Sequence, residues 1–117
     1  MDKTAAELLT KLGIEPDSVN FAVHIVSADE IQELNKKFRN KDKTTDVLSF
    51  PLLHIVPPQK PTAANFPLDV NHETGKVELG DIVINADEPS QNHANLTRHG
   101  LLHLLGYQHS DEGDFEI

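Results

Sequence analysis

The sequence predicts an α+β fold: a small, mostly mixed β-sheet packed with helices. Two Ser/Thr-x-x-Glu boxes, each followed by apolar residues at helical spacing, supply the first helices. Short runs rich in Val, Ile, Leu and Phe lie between and after them, and a Leu-rich helical pattern comes last. The 117 residues suffice for one modest core, so a single domain over residues 1–117 is expected.

Taken in order, Thr4-Ala5-Ala6-Glu7 has the form of a capping box, Leu8, Leu9 and Leu12 form an apolar stripe, and Gly13 marks the stop. Val19, Phe21, Val23 and Ile25 then alternate with Asn20, Ala22, His24 and Val26, the period of a half-buried strand. Ser27-Ala28-Asp29-Glu30 opens a second helix carrying Ile31, Leu34 and Phe38, which ends in a basic cluster. Thr45 to Pro51 reads as a strand halted by proline, and Leu79 to Asn85 as another. Between them, residues 52–77 hold Pro57, Pro58, Pro61 and Pro67 with little periodicity; such a loop in so small a domain is usually functional or disordered. The last helix covers roughly Asn92 to Leu105 and is stopped by Gly106.

Composition narrows the function. No apolar run is long enough to span a bilayer and no signal pattern opens the chain, so a cytoplasmic protein is expected. There is no cysteine, which excludes disulfides and thiolate ligands and leaves His, Asp and Glu to hold any metal. A formal charge of -9 argues against binding nucleic acid by bulk attraction to phosphate. Yet Lys36, Lys37, Arg39, Lys41 and Lys43 fall within eight positions, either as a solvated helix end or as a local anion site.

The decisive segment is His99-Gly-Leu-Leu-His103-Leu-Leu-Gly106-Tyr-Gln-His109. Residues four apart on an α-helix lie about 40° from each other on one face, so His99 and His103 can reach one ion. A left-handed cap at Gly106 can return His109 towards the same point. Three imidazoles leave the fourth tetrahedral position open, the layout of a catalytic zinc site, in which bound water is acidified towards pKa ~7. The other histidines, His24, His54, His72 and His93, have no such spacing and read as structural or surface residues. Zinc peptidases place a glutamate general base immediately after the first histidine; here that residue is Gly100, which counts against peptide hydrolysis.

With these residues in view, the chain resembles the YbeY family of rRNA-maturation endoribonucleases. The family motif H-G-x-L-H-L-x-G-Y-D-H stands here as H-G-L-L-H-L-L-G-Y-Q-H. Its N-x-x-[YF]-R-x-K-D-x-x-T-D-V-L-S-F-P segment is matched from Asn35 to Pro51, and its L-G-D-I-V-I from Leu79 to Ile84. The resemblance implies a metal-dependent endoribonuclease cutting single-stranded RNA, in rRNA maturation and ribosome quality control, with RNA or a small ribosomal subunit as partner. It implies one zinc ion on His99, His103 and His109, with the metal site on the final helix and the turn after it. It also implies catalytic roles for Arg39 and His99, and RNA binding by Arg39, Lys41 and Lys43. A planar guanidinium is suited to hold phosphoryl oxygens and stabilise charge on them. Asp46 and Ser49 read as turn and strand residues shaping the cleft floor, and Asp81 as a partner orienting a metal-bound imidazole.

The chain departs from the family at Gln108, where an aspartate is usual, and in having only seventeen residues (82–98) between Asp81 and His99. The family's leading strand and C-terminal helix have no counterpart, so a sheet with one strand fewer is expected. Two other readings remain: a non-catalytic ribosome-assembly factor with a structural metal, and a hydrolase of peptides or small amides.

Overall fold

A computed structural model describes residues 2–57 and 59–107. Its elements run α1 (Lys3–Lys11), β1 (Val19–Val26), α2 (Ala28–Arg39), β2 (Val47–Pro51), β3 (Val77–Asn85) and α3 (His93–Leu104), with short 3₁₀ turns before β1, β3 and α3. The three strands form one mixed sheet in the order β1-β3-β2, with β1 parallel and β2 antiparallel to the central β3. This is the expected α+β class.

Local signals account for most boundaries. Ser27 caps α2, its hydroxyl accepting from the Glu30 amide at 3.2 Å. The cap of α1 differs from expectation. Asp2, not Thr4, takes that place, its carboxylate accepting from the Thr4 and Ala5 amides at 2.6 and 3.3 Å. An anionic cap also complements the positive end of the helix dipole, an advantage the Thr4 hydroxyl lacks. Gly13 follows the end of α1 as expected, donating to the Thr10 carbonyl at 3.0 Å.

The sheet is covered on both faces. On one side α1 and α3 enclose the main core, in which Leu8, Leu9, Leu79, Ile82, Leu101 and Leu102 are almost fully buried. Each such side chain contributes about 1.5–3 kcal/mol through removal from water. On the other side α2 packs Ile31 against Leu48 and Val83, with Phe50 at the rim. Phe38, expected on the apolar stripe of α2, is largely exposed and meets the Phe50 ring in an edge-to-face contact, with centroids 5.3 Å apart.

The long segment after β2 lies against this core. Leu53, Ile55 and Pro61 are buried, and the Lys60 ammonium donates to the Leu12 carbonyl at the end of α1. The alternation in β1 is only partly honoured. Val19 is buried, but Val23 and Ile25 are 43% and 56% exposed among the described residues, where α3 sits mainly over β2 and β3.

Gly100 sets the height of α3 above the sheet. A Cβ at this position would stand 2.7 and 2.9 Å from the Cγ2 and Cγ1 atoms of Ile82, closer than carbon atoms approach. The position that holds a catalytic glutamate in zinc peptidases is therefore a packing contact here.

Candidate metal and nucleic-acid site

Two of the three histidines singled out by their spacing, His99 and His103, lie four residues apart in α3, and both are half-buried. Their neighbours Gly100, Leu101, Leu102 and Leu104 are buried, so the histidines belong to the polar strip of an otherwise apolar helix. Gly106 has φ +95°, the left-handed turn expected after the helix, and the carbonyl of Ile55 occupies the space a side chain would need. His109 and its neighbour Gln108 fall outside the described residues. Among the described residues no group of three or more His, Asp or Glu could hold a metal ion. The chemistry of the placed pair nonetheless fits such an ion: two imidazole nitrogens share one helical face of a chain without cysteine, as a nitrogen-ligated divalent cation requires.

Arg39, the last residue of α2, is connected to this helix through a single residue of β2. Its Nη2 donates to the Ser49 carbonyl at 2.7 Å, and the buried Ser49 hydroxyl donates to the Gly100 carbonyl at 3.3 Å. Gly100 follows His99 directly, so Ser49 joins the arginine to the histidine-bearing turn. Ser49 thereby keeps the structural part expected of it. Only one of the guanidinium's five N–H groups is used in this bond.

The structure divides the basic cluster. Lys36 lies 4.0 Å from the Asp42 carboxylate, and the Lys37 ammonium stands 5.3 Å from the Phe38 ring centroid. Arg39, Lys41 and Lys43 instead line one open groove of about 540 Å³, together with Asn35, Thr44 and Thr45. The three cations expected to meet RNA thus surround one concavity, and both lysines are exposed. Neither His99 nor His103 lines that groove, and Ser49 links Arg39 at its rim to the turn that carries His99. Asn35, Thr44 and Thr45 lie in the segment that resembles the family, but the sequence assigns them no part in the site. A polar residue at a core-facing helix position was the available signal for Asn35, which is 4% exposed.

Asp81 has a different neighbour from the one expected. Its Oδ1 lies 2.9 Å from Nε2 of His24 on the adjacent strand, and both side chains are about half exposed. The parallel register puts Ala22 beside Asp81 and His24 beside Val83, which brings the two polar side chains together on the α2 face of the sheet. His24, expected to be a surface residue, is exposed but partnered.

The family model described as Endoribonuclease YbeY matches residues 1–117. The chain belongs to the YbeY family. A relative from Francisella tularensis subsp. novicida, named Endoribonuclease YbeY, is 38% identical over 102 residues, covering 81% of this chain and 58% of its own length. Another of that name, from Stenotrophomonas maltophilia, is 40% identical over 108 residues, covering 83% of this chain and 60% of its own. The chain therefore spans little more than half the length of these YbeY relatives. No helix among the described residues is long and apolar enough to cross a membrane.

Proposed function

We propose that this YbeY-family chain is a metal-dependent endoribonuclease acting on single-stranded RNA in rRNA maturation and ribosome quality control. The observation that carries the proposal is the path from Arg39 through Ser49 to Gly100, which ties a cation-lined groove to the turn bearing His99. His99, His103 and His109 would hold one ion, with zinc suited to the imidazole set. Such an ion, when bound, supplies Lewis acidity towards a phosphoryl oxygen and lowers the pKa of water.

The chain's own residues bind and orient. Lys41 and Lys43 attract the phosphodiester backbone into the groove as mobile point charges. Arg39 holds its guanidinium plane against β2 through the Ser49 carbonyl and has donors left for the non-bridging oxygens of the scissile phosphate. Charge that builds on those oxygens during scission is stabilised by donors already in position. The overall charge of -9 repels RNA elsewhere on the surface, so capture is confined to this basic edge.

Arg39→Ala tests the assignment. Loss of a preorganised charged donor lowers cleavage of single-stranded RNA by about 10²–10³-fold. Arg39→Lys does not restore it, because an ammonium cannot reproduce the planar fork. Unchanged cleavage in a folded Arg39→Ala protein would remove the arginine from the mechanism. End-group analysis of the product distinguishes attack by the 2′-hydroxyl, which leaves a cyclic phosphate, from attack by water.

One observation favours the assembly-factor reading: Arg39 already serves a structural carbonyl. A preparation with full metal content that binds rRNA and supports assembly without cutting it, with or without Arg39, would establish that reading instead.

A further inference from the structure

Lys41 and Lys43 are exposed side chains, yet the backbone that carries them is held from beneath by two buried amides. Asn35 is 4% and Asn85 6% exposed. They come from different elements, α2 and the end of β3, and both reach the segment 40–46 that joins α2 to β2.

Asn35 holds the first part of the segment. Its main-chain carbonyl accepts from the Lys41 amide at 3.3 Å and also bonds the amide of Asn40, whose left-handed conformation (φ 57°, ψ 35°) ends the helix. Its side-chain Nδ2 donates to the Lys43 carbonyl at 2.9 Å. Asn85 holds the second part. Its Nδ2 donates to the Thr44 hydroxyl and the Thr45 carbonyl, both at 3.1 Å, and its main-chain amide donates to the Asp46 carbonyl at 2.9 Å. Its Oδ1 accepts from the Asp87 amide at 2.9 Å, which fixes the orientation of the side-chain amide. A buried amide spends its hydrogen-bonding capacity where leaving it unmade would be costly, so these bonds are made persistently.

We infer that Asn35 and Asn85 are positioning residues for RNA capture, clamping the 40–46 backbone so that Lys41, Lys43 and Arg39 present one fixed array of cations to consecutive phosphates. The inference rests on the groove being the RNA site. It goes further in assigning the array's geometry to two buried amides, of which Asn35 lies at the floor of the groove and Asn85 behind it. A segment fixed before binding does not have to be ordered during binding, and that lowers the entropic cost of association.

The test uses the full chain and a short, 2′-O-methylated single-stranded RNA as probe, with affinity measured by fluorescence anisotropy across a potassium chloride series. Asn85→Leu and Asn85→Asp both remove the two donated bonds, and Leu adds no charge. Both variants, and Asn35→Leu, are expected to weaken binding about tenfold. Each phosphate contact contributes about 0.7 to the slope of log affinity against log salt for a single strand, so the magnitude of that slope falls by about 0.7–1.4 as one or two contacts are lost. A purely structural role lowers the urea midpoint without altering the salt slope of the folded protein.

A folded Asn85→Leu protein with wild-type affinity and slope overturns the inference, as does weakening confined to Asn85→Asp, which would be an effect of charge. If the Leu variants do not fold, backbone order parameters of the wild-type protein decide. Values near ~0.85 over 41–46 support a clamped segment and values below ~0.6 overturn it. Lys41→Ala and Lys43→Ala distinguish the groove from the clamp beneath it. If they bind RNA as the wild type does, the groove reading itself fails. If they weaken binding while the asparagine variants do not, only the clamp fails.

Discussion

Replacing Gly100 by alanine should reveal how closely α3 is fitted to the sheet. The added methyl would meet Ile82 Cγ2 at 2.7 Å, Cγ1 at 2.9 Å and Cδ1 at 3.1 Å, all atoms of one branched side chain buried beneath the helix. Overpacking of this kind costs about 1–3 kcal/mol. Against it stands the gain of about 1 kcal/mol when glycine in a helix interior becomes alanine. The net expectation is a destabilisation of roughly 1 kcal/mol, or a fall in Tm of about 4 °C for a domain of this size. The diagnostic measurement is a double-mutant cycle by urea unfolding. Ile82→Ala alone costs about 2–5 kcal/mol through the space it leaves. In that background Gly100→Ala fills part of the space and becomes stabilising, so the coupling between the two sites is on the order of 2 kcal/mol. An equal effect of Gly100→Ala in both backgrounds would show that the helix is not seated on Ile82 as described.

Further measurements address the other elements. Asp2→Ala removes the carboxylate that caps α1 and should lower stability by about 1 kcal/mol in urea unfolding, whereas Thr4→Ala should cost much less. Binding of single-stranded RNA should weaken with salt at a slope near -2, if Arg39, Lys41 and Lys43 each neutralise one phosphate at about 0.7 per contact; salt-independent binding would contradict capture by this groove. Elemental analysis of His103→Ala should find no stoichiometric metal, and a preparation that retains one ion per chain would remove His103 from the ligand set.

How much of this was legible depended on the range of the interactions. The Ser27 cap and the four-residue spacing of His99 and His103 concern residues within one turn of each other, and the sequence pattern is sufficient for both. The start of α1 is ambiguous in the sequence because Asp2 and Thr4 both offer capping oxygens two residues apart, and only the backbone geometry decides between them. Val23 and Ile25 illustrate a different limit. Alternation marks the apolar side of a strand but not whether a helix reaches far enough to cover it. In the site, the grouping of Arg39, Lys41 and Lys43 followed from their closeness in sequence. The link from Arg39 to Gly100 did not, because it passes through a β2 residue fifty-one positions before that glycine. Asp81 likewise met His24 across fifty-seven positions, a pairing set by the parallel register of β1 and β3.

The Arg39–Ser49 bond also has a bearing on how the molecule avoids joining others of its kind. β2 borders the sheet among the described residues, and the Asp46 carbonyl just before it and the Leu52 amide just after it are both turned inward, to Asn85 and Leu79. Since main-chain groups alternate along a strand, those of Val47, Ser49 and Pro51 face outward, where another chain could add a strand. Proline offers no N–H there, and the guanidinium occupies the Ser49 carbonyl. The same side chain thus guards this border among the described residues. Removing the guanidinium bares the Ser49 carbonyl at this edge, so a folded Arg39→Ala protein is expected to self-associate more readily at high concentration, a change that light scattering would register.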